Sequence, residues 1–326
     1  MFKALVLNQE EKKTIAGIQQ IEESQLPEGD VLIDVDYSSL NYKDGLAITG
    51  KGRIVRQFPM VPGIDLTGTV AESSDERYQA GDKVVLTGWG VGEGHWGGMA
   101  EKARLNADWL VPLPTGLSGK QAMMVGTAGL TAMLCVQALV DAGVKPDAGE
   151  VVVTGASGGV GSVAVTLLSQ LGYQVAAVTG RAEINGKLLK QLGAARVIER
   201  SEFEEPARPL EKQIWAGAVD TVGSKVLAKV LAQVDYDGTV AACGLAGGFD
   251  LPTTVMPFIL RNVKLLGVDS VMCPFEKRQQ AWQRLTELLP ASYYEQACRE
   301  VDLDGVAECA EAITNGQITG RVVIKL

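Results

Sequence analysis

The run Glu150-Val151-Val152-Val153-Thr154 breaks into Gly155-Ala156-Ser157-Gly158-Gly159-Val160-Gly161, and that junction constrains the fold more than any other stretch of the chain. A continuous β-branched run predicts a strand buried on both faces, the situation of a parallel sheet. Residues 160–171 then predict a helix stopped at Gly172, 174–179 a second strand, and 184–192 a second helix closed by Gly193 at its C′ position. Short strands follow at 196–198, 218–220, 238–243 and 262–267, with a helix capped by Ser224 running to Gln233. Such alternation implies right-handed crossovers and a doubly wound parallel sheet.

The first third reads differently. Apolar runs at 1–7, 31–37, 68–70 and 83–87, the last after the turn signal Gly81-Asp82, suggest a partly open β-barrel or sandwich. Residues 122–140 are apolar and rich in helix formers, 276–289 predict another helix, and the chain closes on a helix and a strand at 320–326. Backbone groups in that last strand must pair somewhere, and the first domain is the expected place. With 326 residues, the chain has room for two domains of an α/β protein.

Composition removes several function classes. Thirty-nine acidic against thirty basic residues give a net charge of −9, which argues against a nucleic-acid surface. The longest apolar runs fall short of the roughly 20 residues of a membrane span, and residues 1–7 lack the core and cleavage site of a secretory signal. Five dispersed cysteines, Cys135, Cys243, Cys273, Cys298 and Cys309, suit small buried apolar side chains in a reducing cytoplasm better than a disulfide framework.

A glycine pattern alone is weak, since flexible turns collect glycines too. Here it sits between strand and helix, where its backbone N–H groups and the helix N-terminus favour a pyrophosphate. Gly155, Ser157, Gly158, Gly159, Val160 and Gly161 are therefore expected to bind a dinucleotide. At the end of the second strand, where NAD-specific sites place an acid, the chain has Thr179-Gly180-Arg181. A hydroxyl and a cation suit a 2′-phosphate, so the expected cofactor is NADPH. The competing reading makes Arg181 an ordinary solvated arginine and Glu183 the acid, but Glu183 lies beyond the strand end. Arg200, just after the third strand, is a second candidate for the same phosphate or the adenine face.

Several segments together carry a resemblance that spans the whole chain: Ser39-Leu40-Asn41-Tyr42-Lys43-Asp44, Val61-Pro62-Gly63-Ile64-Asp65, Leu86-Thr87-Gly88-Trp89-Gly90-Val91-Gly92 and Gly126-Thr127-Ala128-Gly129-Leu130-Thr131-Ala132. The glycine loop, Asp220-Thr221-Val222-Gly223 and Ala242-Cys243-Gly244-Leu245-Ala246-Gly247-Gly248 belong to the same pattern. The sequence resembles the zinc-free quinone-oxidoreductase branch of the medium-chain dehydrogenases and, within it, the acrylyl-CoA reductase (YhdH/YhfP-type) family. One departure is Gly155, where the branch often has Ala. The resemblance implies a GroES-like β-rich catalytic domain over 1–123 and 273–326, a Rossmann domain with a doubly wound parallel sheet over 124–272, and a substrate cleft between them. It also implies NADPH-dependent reduction of acrylyl-CoA to propionyl-CoA. Reduction of a quinone or enone is the alternative, and an NADPH-binding regulator without catalysis is a second one. Dimers are common in the family, so a homodimer is expected by analogy, with no membrane or nucleic-acid partner.

Zinc relatives bind metal near Asn41 and Gly63-Ile64-Asp65, which here supply neither thiolate nor imidazole, and the single histidine, His95, lies in a loop. His95 reads as a structural hydrogen-bonding residue. Without a Lewis acid an enone or enoyl thioester is easier to reduce than an isolated ketone: the β-carbon accepts hydride from the nicotinamide C4, charge spreads to the carbonyl oxygen, and a proton completes the α-carbon. The protein then mainly positions the acceptor and donates hydrogen bonds to that oxygen. Asn41 and Tyr42 are the candidates for that junction, Tyr42 also touching the cofactor. Thr127 is expected to bond the nicotinamide amide or a phosphate, with a helix N-cap as the rival role. Gly244, Leu245 and Asp269 are expected at C-terminal strand ends, where doubly wound sheets bind ligands. Lys51, Arg53 and Arg56 form a basic run suited to the phosphates of an acyl-CoA, although most such runs are merely solvated.

Overall fold

The computed structural model describes residues 1–326, and the chain divides into two units. One contains Met1–Thr127, Ser270–Thr286 and Cys298–Leu326; the other contains Ala128–Asp269 and Glu287–Ala297. In chain order the elements begin β1 (Phe2–Glu10), β2 (Lys13–Ile21), β3 (Val31–Leu40), α1 (Tyr42–Thr49), β4 (Asp65–Ser73), β5 (Lys83–Thr87), β6 (Lys102–Leu105), β7 (Leu110–Pro112) and α2 (Gly119–Asp141). They continue with β8 (Glu150–Val153), α3 (Gly159–Gln170), β9 (Gln174–Thr179), α4 (Ala182–Gln191), β10 (Arg196–Glu199), β11 (Trp215–Asp220), α5 (Ser224–Gln233), β12 (Val234–Ala242), α6 (Met256–Arg261) and β13 (Lys264–Gly267). The last are α7 (Phe275–Leu288), α8 (Ala291–Gln296), β14 (Cys298–Val301), α9 (Val306–Thr314) and β15 (Arg321–Lys325).

In the first unit a mixed sheet runs β14-β15-β3-β4-β5-β7, with β6 also on β3 and a separate β1-β2 hairpin. Alternation along β3 sends Val31, Ile33 and Val35 into one core with Leu66, Val70, Val84 and Leu86. The terminal strand β15 does return, antiparallel to β3, with Val322 opposite Leu40 and Val323 opposite Ser39. Beyond it, β14 adds a parallel pair that the short polar run Cys298–Val301 gave no hint of.

The second unit holds a six-stranded parallel sheet in the order β10-β9-β8-β11-β12-β13. Val151, Val152 and Val153 are wholly buried at its centre. The strand order reverses between β8 and β11, the switch point where a doubly wound sheet opens a crevice at its C-terminal ends.

Several details depart from expectation. The sequence puts the domain limits at 123/124 and 272/273, whereas the units change at Thr127/Ala128 and Asp269/Ser270, and Glu287–Ala297 groups with the second unit. Burial of Leu289 and Tyr293 there counts for more than chain continuity with 273–326. The apolar runs in the sequence read as too short for a membrane span, yet α2, which contains the apolar stretch 122–140, has 23 residues and passes for one by length and composition. With 83 % of its most apolar window buried inside the protein, it reads as a core helix. Gly126, at φ 53° and ψ −160°, breaks it in two. Ser224 is not the cap of α5: that place belongs to Gly223, whose N–H donates to Asp220 Oδ2 at 2.8 Å, while the Ser224 hydroxyl donates to Asp250 at 2.7 Å.

Candidate active site

The glycine loop in the second unit is a cradle made of main chain. Gly155 takes φ 59°, and a Cβ on it would run into Thr221 Oγ1; a Cβ on Gly161 would run into the Gly155 carbonyl. Gly158 is the N-cap of α3, with Gly159 and Val160 as its first helical residues, so their N–H groups lie at the positive end of the helix. That arrangement fits a diphosphate, which needs close backbone approach and N–H donors.

At the next strand end the side chains named from sequence come together. Ser157 Oγ and Thr179 Oγ1 are 2.9 Å apart, and the Arg181 N–H donates to Thr179 Oγ1 at 3.3 Å. An ideal Cβ on Gly180 would lie 3.1 Å from the guanidinium carbon of Arg200, so that cation lies against the turn. Arg200 also reaches Glu204 at 3.3 Å, an exposed pair one helical turn apart that an incoming phosphate can outcompete. Glu199, the residue before Arg200, accepts from the Ala182 N–H at 2.7 Å and so fixes the start of α4 just after Arg181. Glu183 occupies the first turn of α4, past the strand end.

On the other side of the switch point, Asp220 is fully buried and organises the strand ends. Its carboxylate accepts from Thr154 Oγ1 at 2.7 Å and from Gly223 N–H at 2.8 Å, while burial pushes its pKa upward. The Thr221 hydroxyl donates to the Thr154 carbonyl at 2.9 Å. Gly244 lies so close to Thr221 that a Cβ would strike its carbonyl. Leu245 is 64 % exposed beside it, and Asp269 follows β13 at the edge of the sheet. A thiol pair emerges that sequence spacing hides: Cys135 hydrogen-bonds to Cys243, and together with burial this raises the Cys135 thiol well above its ordinary value.

In the first unit the candidates resolve into a buried polar cluster. Asn41 Nδ2 donates to Asp65 Oδ1 at 2.6 Å and Asp44 Oδ2 at 3.3 Å, and Asn41 Oδ1 accepts from Arg321 at 3.0 Å. Asn41 also caps α1. Both its amide hydrogens are thus engaged within this cluster. The Thr127 N–H donates to Asp65 Oδ2 at 2.6 Å. Asp65 therefore satisfies the first orphan donor of the second half of α2, a cap delivered from another element. Ser39 donates to Asp65 at 2.9 Å, and Arg321 Nη2 lies 3.8 Å from the same carboxylate. Asp44 accepts from the N–H groups of Asn41, Gly63 and Ile64 at 2.9, 3.1 and 3.0 Å. Its pKa rises to about 7 through burial and then the charge of Asp65; that of Asp65 is raised by burial against the pull of Arg321. Asp44, Asp65 and Arg321 were not singled out as functional in the sequence; a lone Asp entering β4 and an Arg opening the apolar β15 were the available signals.

Tyr42, by contrast, is 39 % exposed at the first position of α1. His95 has Nδ1 3.0 Å from the Trp96 carbonyl, Nε2 3.3 Å from the Glu28 carbonyl, and its ring edge on Trp109, a loop-tying role. The basic run is less open than it reads. Lys51 is bound to Glu311 at 2.6 Å, Arg56 lies 4.0 Å from Glu93, and Arg53 is exposed. No group of three or more His, Cys, Asp or Glu side chains converges in a metal-ligating arrangement.

The Trp89 loop completes the picture. Gly88, Trp89 and Gly90 all take left-handed φ, at 83°, 58° and 74°, which for a tryptophan costs about 1–2 kcal/mol. Its buried indole N–H has no acceptor. The Arg278 guanidinium lies 4.8 Å over its ring.

Comparison with known proteins agrees with this geometry. The alcohol dehydrogenase GroES-like domain matches residues 27–115, and the zinc-binding dehydrogenase domain matches 159–289. A probable acrylyl-CoA reductase of Escherichia coli K12, AcuI, is 65 % identical over all of both chains. A putative quinone oxidoreductase of Bacillus subtilis, YhfP, is 45 % identical over 100 % of this chain and 99 % of its own. The crystal structure of the Salmonella enterica YhdH oxidoreductase in complex with NADP superposes with a TM-score of 0.98 at 64 % identity, covering 99 % of each chain. The chain belongs to the medium-chain dehydrogenase/reductase superfamily, to its zinc-free quinone-oxidoreductase branch and there to the acrylyl-CoA reductase (YhdH/YhfP-type) family.

Proposed function

We propose that this protein reduces acrylyl-CoA to propionyl-CoA with NADPH. The observation that carries this reading is the turn at Thr179-Gly180-Arg181, where two guanidinium-bearing residues stand at the strand end in place of an acid, in a chain 65 % identical to a probable acrylyl-CoA reductase. When bound, NADPH supplies the hydride. The loop Gly155–Gly161 grips its diphosphate through N–H groups, and Ser157, Thr179, Arg181 and Arg200 read the 2′-phosphate. Gly244, Leu245 and Asp269 line the strand ends near its nicotinamide half. Charge developing on the thioester oxygen needs a donor. With Asn41 fully engaged, that part falls to the Tyr42 hydroxyl at the positive end of α1.

Lys51, Arg53 and Arg56 dock the phosphates of the CoA moiety, displacing the exposed Glu311 carboxylate that now faces Lys51. The five free cysteines support a cytoplasmic location. The unpaired edge of β13, with Val255, Ile259 and Leu260 exposed nearby, supports a homodimer.

A panel of NADPH oxidation assays tests the proposal. Acrylyl-CoA should turn over fastest, the acrylyl thioester of pantetheine should show a raised KM, and a benzoquinone should be slow. Turnover with the quinone alone would move the assignment to quinone reduction, the reading favoured by the likeness to YhfP. Tight NADPH binding with no acceptor reduced would leave a regulator.

A further inference from the structure

The chain re-enters the first unit at Ser270, and the carbonyls of Ser270, Val271 and Cys273 lie around one side chain. Arg278, on α7, is wholly buried. Its Nη2 donates to the carbonyls of Ser270 at 3.1 Å, Val271 at 3.1 Å and Cys273 at 3.3 Å. Its Nη1 donates to the carbonyl of Thr87 and, at 2.8 Å, to the Thr87 hydroxyl. Four carbonyl oxygens from two separate segments thus converge on one guanidinium. Oxygens that point at each other repel, and only a donor in their midst holds them there.

The same cation covers the Trp89 ring at 4.8 Å. The main-chain N–H of Trp89 donates to the Val271 carbonyl at 3.0 Å, so loop and re-entry segment are tied twice. From this loop the Gly88 N–H donates to the Ile64 carbonyl at 3.0 Å. Ile64 and Gly63 in turn bind Asp44, and Asp44 holds the Asn41 cap from which α1 and Tyr42 begin. A left-handed tryptophan with an unsatisfied indole N–H does not adopt this shape unaided; its surroundings impose it.

We propose that Arg278 is a positioning residue for the reduction. Its forked guanidinium clamps Ser270–Cys273 onto the Trp89 loop and so sets the Gly63–Ile64 turn and the start of α1. It acts on the acceptor side of the reaction and not on coenzyme binding, whose cradle lies in the other unit. This inference rests on the enoyl-thioester reading for its choice of substrate.

Two variants test it. Arg278→Lys keeps the charge but loses the fork, and Trp89→Leu keeps bulk but loses the aromatic face. Both should lower kcat/KM for acrylyl-CoA tenfold or more while the NADPH Kd, from titration of coenzyme fluorescence, stays within twofold of wild type. If Arg278→Lys does not fold, Trp89→Leu decides alone. A folded variant that keeps kcat/KM within twofold, or loses NADPH affinity in parallel with activity, overturns the proposal. The wild-type control separates this from the substrate assignment: if wild type reduces only the quinone, the thioester reading has failed and the comparison is made with the quinone.

Discussion

Two arginines of different legibility meet one turn. Arg181 stands where a reader of Rossmann sequences looks, directly after the strand. Arg200 comes from the next strand, and only the fold lays it against Gly180. If both read the ribose phosphate, Arg181→Ala and Arg200→Ala should each weaken NADPH binding by about tenfold or more, the scale of a lost charge-assisted hydrogen bond. NADH binding should change less than threefold; calorimetric titration with both coenzymes checks this, and equal losses would remove the phosphate contact. A second residue-scale prediction concerns Asp44. Burial and Asp65 raise its pKa from 3.8 to about 7, so the folded protein retains a proton that the unfolded chain releases. The stability it contributes is complete below about pH 4 and lost as pH rises through 7. Urea midpoints of wild type should therefore fall from pH 4.5 to 8 relative to those of Asp44→Asn, and parallel pH profiles for the two would contradict the raised pKa.

Among the elements, those decided by local chemistry were legible. Lys83–Thr87 and Gln174–Thr179 are strands with the limits their composition implies, and Gly172 and Gly193 end α3 and α4 with left-handed φ. What escaped was set by distant partners. The kink in α2 is invisible in an apolar, helix-forming run because its cause lies elsewhere: Asp65 must reach the Thr127 N–H. Gly126→Ala would add a Cβ where Asp65 Oδ2 and Arg321 Nη2 already lie, on a residue at φ 53°. Left-handed strain and overpacking together predict a loss of about 3 kcal/mol or more in urea unfolding. An unchanged midpoint would mean the cluster yields easily. The partners of Asn41 are hidden for the same reason: in sequence it offers an amide, and in the fold both hydrogens of that amide face carboxylates.

For the molecule as a whole, the glycine loop and the strand alternation were enough to reveal a Rossmann unit, and the resemblance supplied the β-rich one. The remainder was hidden because β14 and the segment Glu287–Ala297 are placed by their partners and their burial, not by a pattern of their own. Since Asn41 and the Gly63-Ile64-Asp65 stretch, near which zinc relatives bind metal, supply neither thiolate nor imidazole, dialysis against a strong chelator should leave the NADPH oxidation rate unchanged. Loss of activity restored by zinc would contradict a metal-free reaction. The division of labour in the coenzyme site has a wider consequence. On the proposed reading, main chain around Gly155 and Gly161 does the gripping, whereas a handful of side chains near Gly180 does the choosing. Selection can therefore redraw which redox pool the enzyme draws upon by altering a few codons, without disturbing the scaffold that holds the nucleotide.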